Sequence, residues 1–250
     1  MHSKPIPTQP EQEERCLNCN SLLDGEFCSQ CGQAKSARLV SLKAWMSDLF
    51  GSFIELDSKL LRTLVQLFFH PGQATLDFAD GHRVSYTGPA RIYIFVSAIS
   101  IAAMTLAGAF ERTNEMFYLG ADVSEEFQKR VQFLFPFVNL LSPFLTAGLL
   151  ALFQRAQFFQ LHLAFSLHFW AFQIGVTTPL IFLAPTSIWT LLSFAAVSII
   201  VTRYLYIAHR RVYSLSLPRR LLMCLVVLCS IPLASFLFVA LLFVLSSSFS

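Results

Sequence analysis

LHLAFSLHFWAFQIGVTTPLIFLA, residues Leu161 to Ala184, carries no charged side chain along its 24 residues. At helical rise that length covers the roughly 30 Å of hydrocarbon in a bilayer. Four further apolar runs flank it, Ile92 to Phe110, Val131 to Phe153, Ile188 to Ala208 and Leu221 to Leu245, each long enough to span. The second and third runs are joined only by Gln154 to Gln160, and the third and fourth only by Pro185-Thr186-Ser187. Links this short predict antiparallel helical hairpins. Pro136, Pro143, Pro179 and Pro232 fall inside the runs and predict kinks. Ala98/Ala102 and Ala103/Ala107 place small residues four apart in the first run, a spacing that lets helices approach closely.

Composition agrees with a membrane setting. The chain is 55% hydrophobic with 26 Phe and only 13% charged residues in 250, more apolar than a water-soluble domain of this size. All 15 acidic residues lie at or before Glu126, so the last 124 residues contain no carboxylate. Catalysis by paired carboxylates inside the membrane is thereby excluded. The net charge of +3 is small and the basic residues are dispersed, so no nucleic-acid partner is expected.

Upstream of the runs stand two CxxC knuckles, Cys16-Leu17-Asn18-Cys19 and Cys28-Ser29-Gln30-Cys31. Four thiolates in this arrangement can surround one tetrahedral ion, and two matched pairs favour structural Zn2+ over a redox dithiol. Four protein ligands leave no open position for activating water, so the site is read as closed. Asn20 and Gly32 follow the second cysteine of each knuckle, and both residue types tolerate the left-handed backbone a turn around the sulfurs needs. A ribbon of this size buries little core, so the metal supplies most of its folding free energy.

Between ribbon and runs, Leu42, Trp45, Met46, Leu49, Phe50 and Phe53, then Leu60, Leu61, Leu64, Val65 and Phe68, recur at helical spacing. They predict two amphipathic helices, the second capped by Asp57 or Ser58 and ended by Pro71-Gly72. Such helices either lie in the membrane interface or pack on the bundle. The polar segment Pro71 to Pro89 follows as a connector, with His82, Arg83 and Tyr86 as its candidate functional surface.

The resulting fold class is an all-α polytopic membrane protein: about five transmembrane helices plus a small N-terminal cytoplasmic zinc ribbon and amphipathic interfacial helices. The expected division is a disordered lead-in over 1–15, the ribbon over 16–35, juxtamembrane helices and connector over 36–90, and the bundle over 91–250. Arg83, Arg91, Arg155, Arg210, Arg211, Arg219 and Arg220 fall on one side of the runs, against Arg112, Lys129 and Arg130 on the other. The bias predicts a cytoplasmic N-terminus and a periplasmic C-terminus. It also places the cysteines in a reducing compartment.

Within the bundle, His162 and His168 stand out, because an imidazole in a membrane is costly without a partner or a wet cavity. Six residues at 100° each set them on different faces, which argues against one shared metal site. Interhelical hydrogen bonding is the plainer reading, with Asn139, Ser166 and Gln173 as partners, and proton or ligand handling is the sharper one. Arg203 is read as reaching to lipid phosphates, and Cys224 and Cys229 as apolar fillers.

An ordered set of motifs carries a resemblance. The knuckles with Gly25-Glu26-Phe27 before Cys28 and Gly32-Gln33 after Cys31, then Leu61-Arg62-Thr63-Leu64, His70-Pro71-Gly72, Gly81-His82-Arg83, Tyr86, Pro89, Arg91, Tyr93 and Gln160-Leu161-His162 to Leu167-His168-Phe169, resemble a family of bacterial inner-membrane proteins catalogued as a domain of unknown function. The resemblance covers Cys16 to about Phe172 and implies an N-terminal zinc ribbon, a multi-helix membrane part and an inner-membrane location, with no reaction attached. The chain differs from that pattern at His70 and His82, where the family carries a basic residue.

No nucleophile and base pair, phosphate cradle or dinucleotide fingerprint can be assembled from the residues. The expected role is therefore binding, regulation or scaffolding, with the ribbon docking a cytoplasmic protein partner or the chain's own interfacial helices. Two alternatives stay open: a small carrier or lipid-handling protein using the kinked spans and His168, and an enzyme acting on lipid headgroups near His82, Arg83 and Tyr86.

Overall fold

Each long apolar run becomes helix, because in a segment without charged neighbours the backbone satisfies its own polar groups most completely that way. A computed structural model describes residues 14–35, 58–108, 125–155, 157–182 and 188–247. Among them lie seven α-helices and no strand: α1 (Ser58–Phe69), α2 (Gln73–Ala79), α3 (Pro89–Leu106), α4 (Glu125–Phe153), α5 (Phe159–Thr177), α6 (Ile188–Val212) and α7 (Leu217–Ser247). The expected amphipathic helix over Leu42 to Phe53 and the greater part of the lead-in lie outside the described residues.

α5 is the central pillar. Every side chain from His162 to Phe172 is buried, and the helix packs against α1, α2, α3, α4 and α6. A helix apolar on all faces needs neighbours on all faces. The predicted third span is shorter than Leu161 to Ala184, since α5 stops at Thr177 and continues only as a 3-10 turn over Thr178–Phe182. Pro179 has no N–H to give the Gly175 carbonyl, so it ends the α-helix where a kink was expected. Pro136 and Pro143 in α4 and Pro232 in α7 lie inside continuous helix.

Hydroxyls tie the bundle together. Trp170 Nε1 on α5 donates to Thr146 Oγ1 on α4 at 2.9 Å, and that hydroxyl meets Ser230 Oγ on α7 at 2.8 Å. At the far end Thr178 Oγ1 donates to Ser100 Oγ on α3 at 2.7 Å. The close approaches come from glycines rather than the alanine pairs, for Ala98 and Ala102 are exposed. A Cβ on Gly175 would stand 2.5 Å from Phe68 of α1, and a Cβ on Gly72 2.9 Å from the backbone of Ala208 on α6.

The segment expected as a plain connector holds a helix of its own, α2, because Gly72 at φ 81° reverses the chain directly after α1 and lets Gln73 restart it. The α1–α2 hairpin seats against α5 and α6. Phe68 packs on Phe172 with centroids 5.7 Å apart, and Arg211 Nη1 donates to the Pro71 carbonyl at 3.1 Å. Among the described residues two stretches are long and apolar enough to cross a membrane, α3 and Leu192–Val212 of α6, fewer than the about five spans expected.

Candidate metal centre and its seat

Both knuckles fold alike because both obey the same local rule. Asn20 N donates to the Cys16 carbonyl and Gly32 N to the Cys28 carbonyl, each at 2.8 Å, with Asn20 at φ 61° and Gly32 at φ 74°. Cys16 N to Ser21 O and Cys28 N to Gln33 O, again at 2.8 Å, close each loop, and Arg15 bridges Leu22 as Phe27 bridges Ala34. The repetition turns four sulfurs inward. Cys16 and Cys31 Sγ lie 3.6 Å apart, Cys19 and Cys28 Sγ 3.5 Å apart, and all four fall within 4.8 Å of one another. Ligands at about 2.3 Å around a tetrahedral ion stand roughly 3.8 Å apart, so this donor set fits one thiolate-bound ion.

The surroundings already favour thiolate at one pair. Ser21 Oγ sits 3.0 Å from both Cys19 and Cys28 Sγ. That hydroxyl, with the amides of Cys31 and Gln30, lowers the Cys28 thiol to about 6, and it lowers Cys19 as well. Burial pushes Cys31 up to about 11, so an incoming ion has to displace its proton.

The ribbon is seated on the connector through Gln33, which is buried. Its Nε2 donates to the Gly81 carbonyl at 2.9 Å, while its Oε1 accepts from Arg83 N at 3.0 Å and Val84 N at 3.3 Å. Ser85 N donates to Asn18 Oδ1 at 3.3 Å. Leu17 covers Gly81, whose φ of 93° and lack of Cβ admit it.

Asp77 organises the other side of the connector. Its carboxylate accepts from Gln66 Nε2 and, at 2.9 Å, from Gln73 Nε2, and His82 Nδ1 stands 3.7 Å away. Thr87 N donates to Thr63 Oγ1 at 2.9 Å, which ties the connector to α1. Of the predicted surface, His82 turns to Asp77, the Arg83 guanidinium covers the Phe78 ring at 3.9 Å, and Tyr86 is half-buried in the same segment.

His162 and His168 lie in separate environments. His168 Nδ1 shares a 2.9 Å hydrogen bond with Thr75 Oγ1 of α2, and its Nε2 has no partner among the described residues. His162 Nε2 donates to the Gln154 carbonyl at 3.1 Å, which leaves Nδ1 to accept from the Tyr213 hydroxyl at 2.9 Å. Burial holds that phenol well above its ordinary value, so it stays a donor. Of the partners expected for these histidines, Ser166 and Gln173 are not used, and the Asn139 side chain lies outside the described residues. Ser21, Gln33, Asn18, Asp77, His209 and Tyr213 were not legible as site residues. Gln33 alone had a signal, its place directly after Cys31-Gly32.

The arrangement defines a class: a helical bundle with a ribbon, seated on the connector ahead of α3, whose four cysteines could hold one metal ion. Residues 57–101, spanning α1, α2, the connector and most of α3, match the family described as "Protein of unknown function (DUF3667)". No curated protein and no solved structure matches the chain.

Proposed function

We propose that the chain is a five-span protein of a bacterial inner membrane whose cytoplasmic zinc ribbon is a binding and regulatory module coupled to the bundle through the connector. The membrane reading is supported by apolar residues on the outside of the bundle. Ile199, Phe236 and Leu225 are 69%, 70% and 57% exposed, large apolar side chains that a bilayer would cover. The inward orientation is supported by the gathering of helix ends. Gln154 before α5, His162 in its first turns, Tyr213 between α6 and α7, and Arg211 against Pro71 all lie at the ribbon's end of the bundle.

The observation that carries the coupling is Gln33, one residue past a Cys-Gly knuckle, hydrogen-bonded to three backbone groups of the segment that starts α3. A change in the ribbon, whether metal loss or a partner's arrival, is transmitted there to the first span. Phe27, 68% exposed, is the contact offered to a cytoplasmic protein partner.

A photo-crosslinking side chain at residue 27 tests the role in cells. Protein adducts should form in the wild-type background and be lost with Cys28→Ser, while membrane insertion persists. Equal adducts in both backgrounds would remove the metal-dependent module, and a reporter at residue 20 on the outer face would remove the topology.

A further inference from the structure

The α6–α7 turn is rich in positive charge and has no carboxylate to answer it. Arg210 and Arg211 end α6, Arg219 and Arg220 lie in the first turn of α7, and none of the four has an acidic partner among the described residues. None can come from downstream, since no Asp or Glu follows Glu126. Three of these arginines are exposed, and charges on such a surface are commonly left to solvent.

Arg220 differs. Its fork is half-buried and fixed by neutral acceptors only: Nη2 donates to the Leu215 carbonyl at 2.8 Å and Nη1 to the Tyr206 hydroxyl at 3.4 Å. Its Nε is out of contact with solvent and has no acceptor among the described residues. A guanidinium held in this way is costly unless an anion neutralises it.

A second unanswered group lies close by. His209 is fully buried, within electrostatic range of Arg220, and its Nε2 faces Gln154 Nε2 at 3.5 Å. His209 Nδ1 also has no hydrogen-bond partner among the described residues. Four arginines without a carboxylate partner around one turn, one of them half-buried, suit an anion with several acceptor oxygens. A phosphate group has them, and guanidinium is its geometric match.

The surface beside Arg220 indicates what carries the phosphate. Leu217, Leu221 and Leu225 are 55%, 53% and 57% exposed on α7 and run away from the arginines along one helix. Polar head and apolar track adjoin. We propose that this turn is a binding site for the phosphate of an anionic phospholipid, with Arg220 as its central ligand, Arg210, Arg211 and Arg219 as the surrounding positive field, and the α7 leucines against the acyl chain. The assignment rests on the membrane reading above.

The test uses full-length protein, delipidated in detergent, with phosphatidylglycerol, phosphatidylcholine and inorganic phosphate offered in parallel and bound lipid counted by native mass spectrometry. Phosphatidylglycerol should be retained over phosphatidylcholine, and Arg220→Gln should weaken it by about tenfold or more. Arg62→Gln, an exposed arginine on α1, should leave it unchanged. Arg220→Lys keeps the charge but loses the fork, and should fall between. Helicity and the thermal midpoint without lipid verify that each variant is folded.

Equal retention of the two lipids, or equal losses in the Arg62 and Arg220 variants, overturns the site. Displacement of phosphatidylglycerol by millimolar phosphate overturns the lipid as its source. Carbonate extraction of the starting membranes separates the two readings: release into the supernatant defeats the membrane assignment, whereas retention without lipid preference defeats this proposal alone.

Discussion

Gln33 Nε2 donates to the Gly81 carbonyl at 2.9 Å across 48 residues of chain, joining the second cysteine knuckle to the segment that leads into α3. Replacing Gln33 by Leu removes this bond and the two that its Oε1 accepts; Val84 N loses its partner, while Arg83 N and the Gly81 carbonyl keep their 2.9 Å bond to each other. The expected cost is about 1–3 kcal/mol at the docking contact. Hydrogen exchange should show faster amides at Arg83 and Val84, while the ribbon still holds its metal stoichiometrically.

Ser21 touches two ligands at once, so its hydroxyl orders the sulfurs and favours their thiolate form. Ser21→Ala should weaken metal affinity by about tenfold, the lower end of what outer-shell partners contribute. Competition with a chromophoric chelator measures it, and an unchanged affinity would show that the hydroxyl is incidental.

Acid should empty the site. The Cys28 thiol is depressed from 9.0 to about 6, so its thiolate is present above that value and lost as pH falls through it. Cys31, raised to about 11, is protonated at neutral pH in the metal-free ribbon and must yield its proton to the ion. Metal loading in weak buffer should therefore acidify the solution, and dialysis at about pH 5 should release metal that is retained at about pH 7.5. Elemental analysis of the two dialysates decides it.

Gly72 stands at φ 81° with the Ala208 backbone 2.9 Å from where a Cβ would be. Gly72→Ala combines a left-handed penalty with a backbone collision, and a loss of about 1–3 kcal/mol is expected. Gly175→Ala meets only the ring of Phe68, which can turn aside. The first variant should lower the thermal midpoint in detergent more than the second.

Tyr213→Phe leaves the His162 Nδ1 acceptor buried without a donor, at about 1–3 kcal/mol. His162→Phe removes the other partner. If the bond matters, the double variant should be less destabilised than the sum of the singles.

The knuckles were readable because their chemistry is local: cysteine spacing, with a left-handed residue after each pair, determines a sulfur cluster within a few bonds of chain. Helix positions were readable for the same reason, since runs such as Leu221 to Leu245 leave the backbone no better way to satisfy itself. The boundaries shifted wherever a single residue intervened. Pro179 stopped α5 early, and Gly72 let α2 form inside the expected connector. Periodicity does not register events of that size.

What lies against what came only from the folded chain. The alanine pairs of α3 suggested a close interface, yet Phe68 on Gly175 and Gly72 on Ala208 made the tight contacts. Cys16, Cys19, Cys28 and Cys31, and the apolar character of each helix, follow from side-chain chemistry at fixed sequence distance, so composition and spacing determine them. The seating of the ribbon by Gln33, the separation of His162 from His168 and the nitrogens of Arg220 and His209 that lack a partner among the described residues depend on groups dozens of residues apart meeting within about 3 Å. No pattern along the chain encodes that geometry, because it is chosen by how the helices pack.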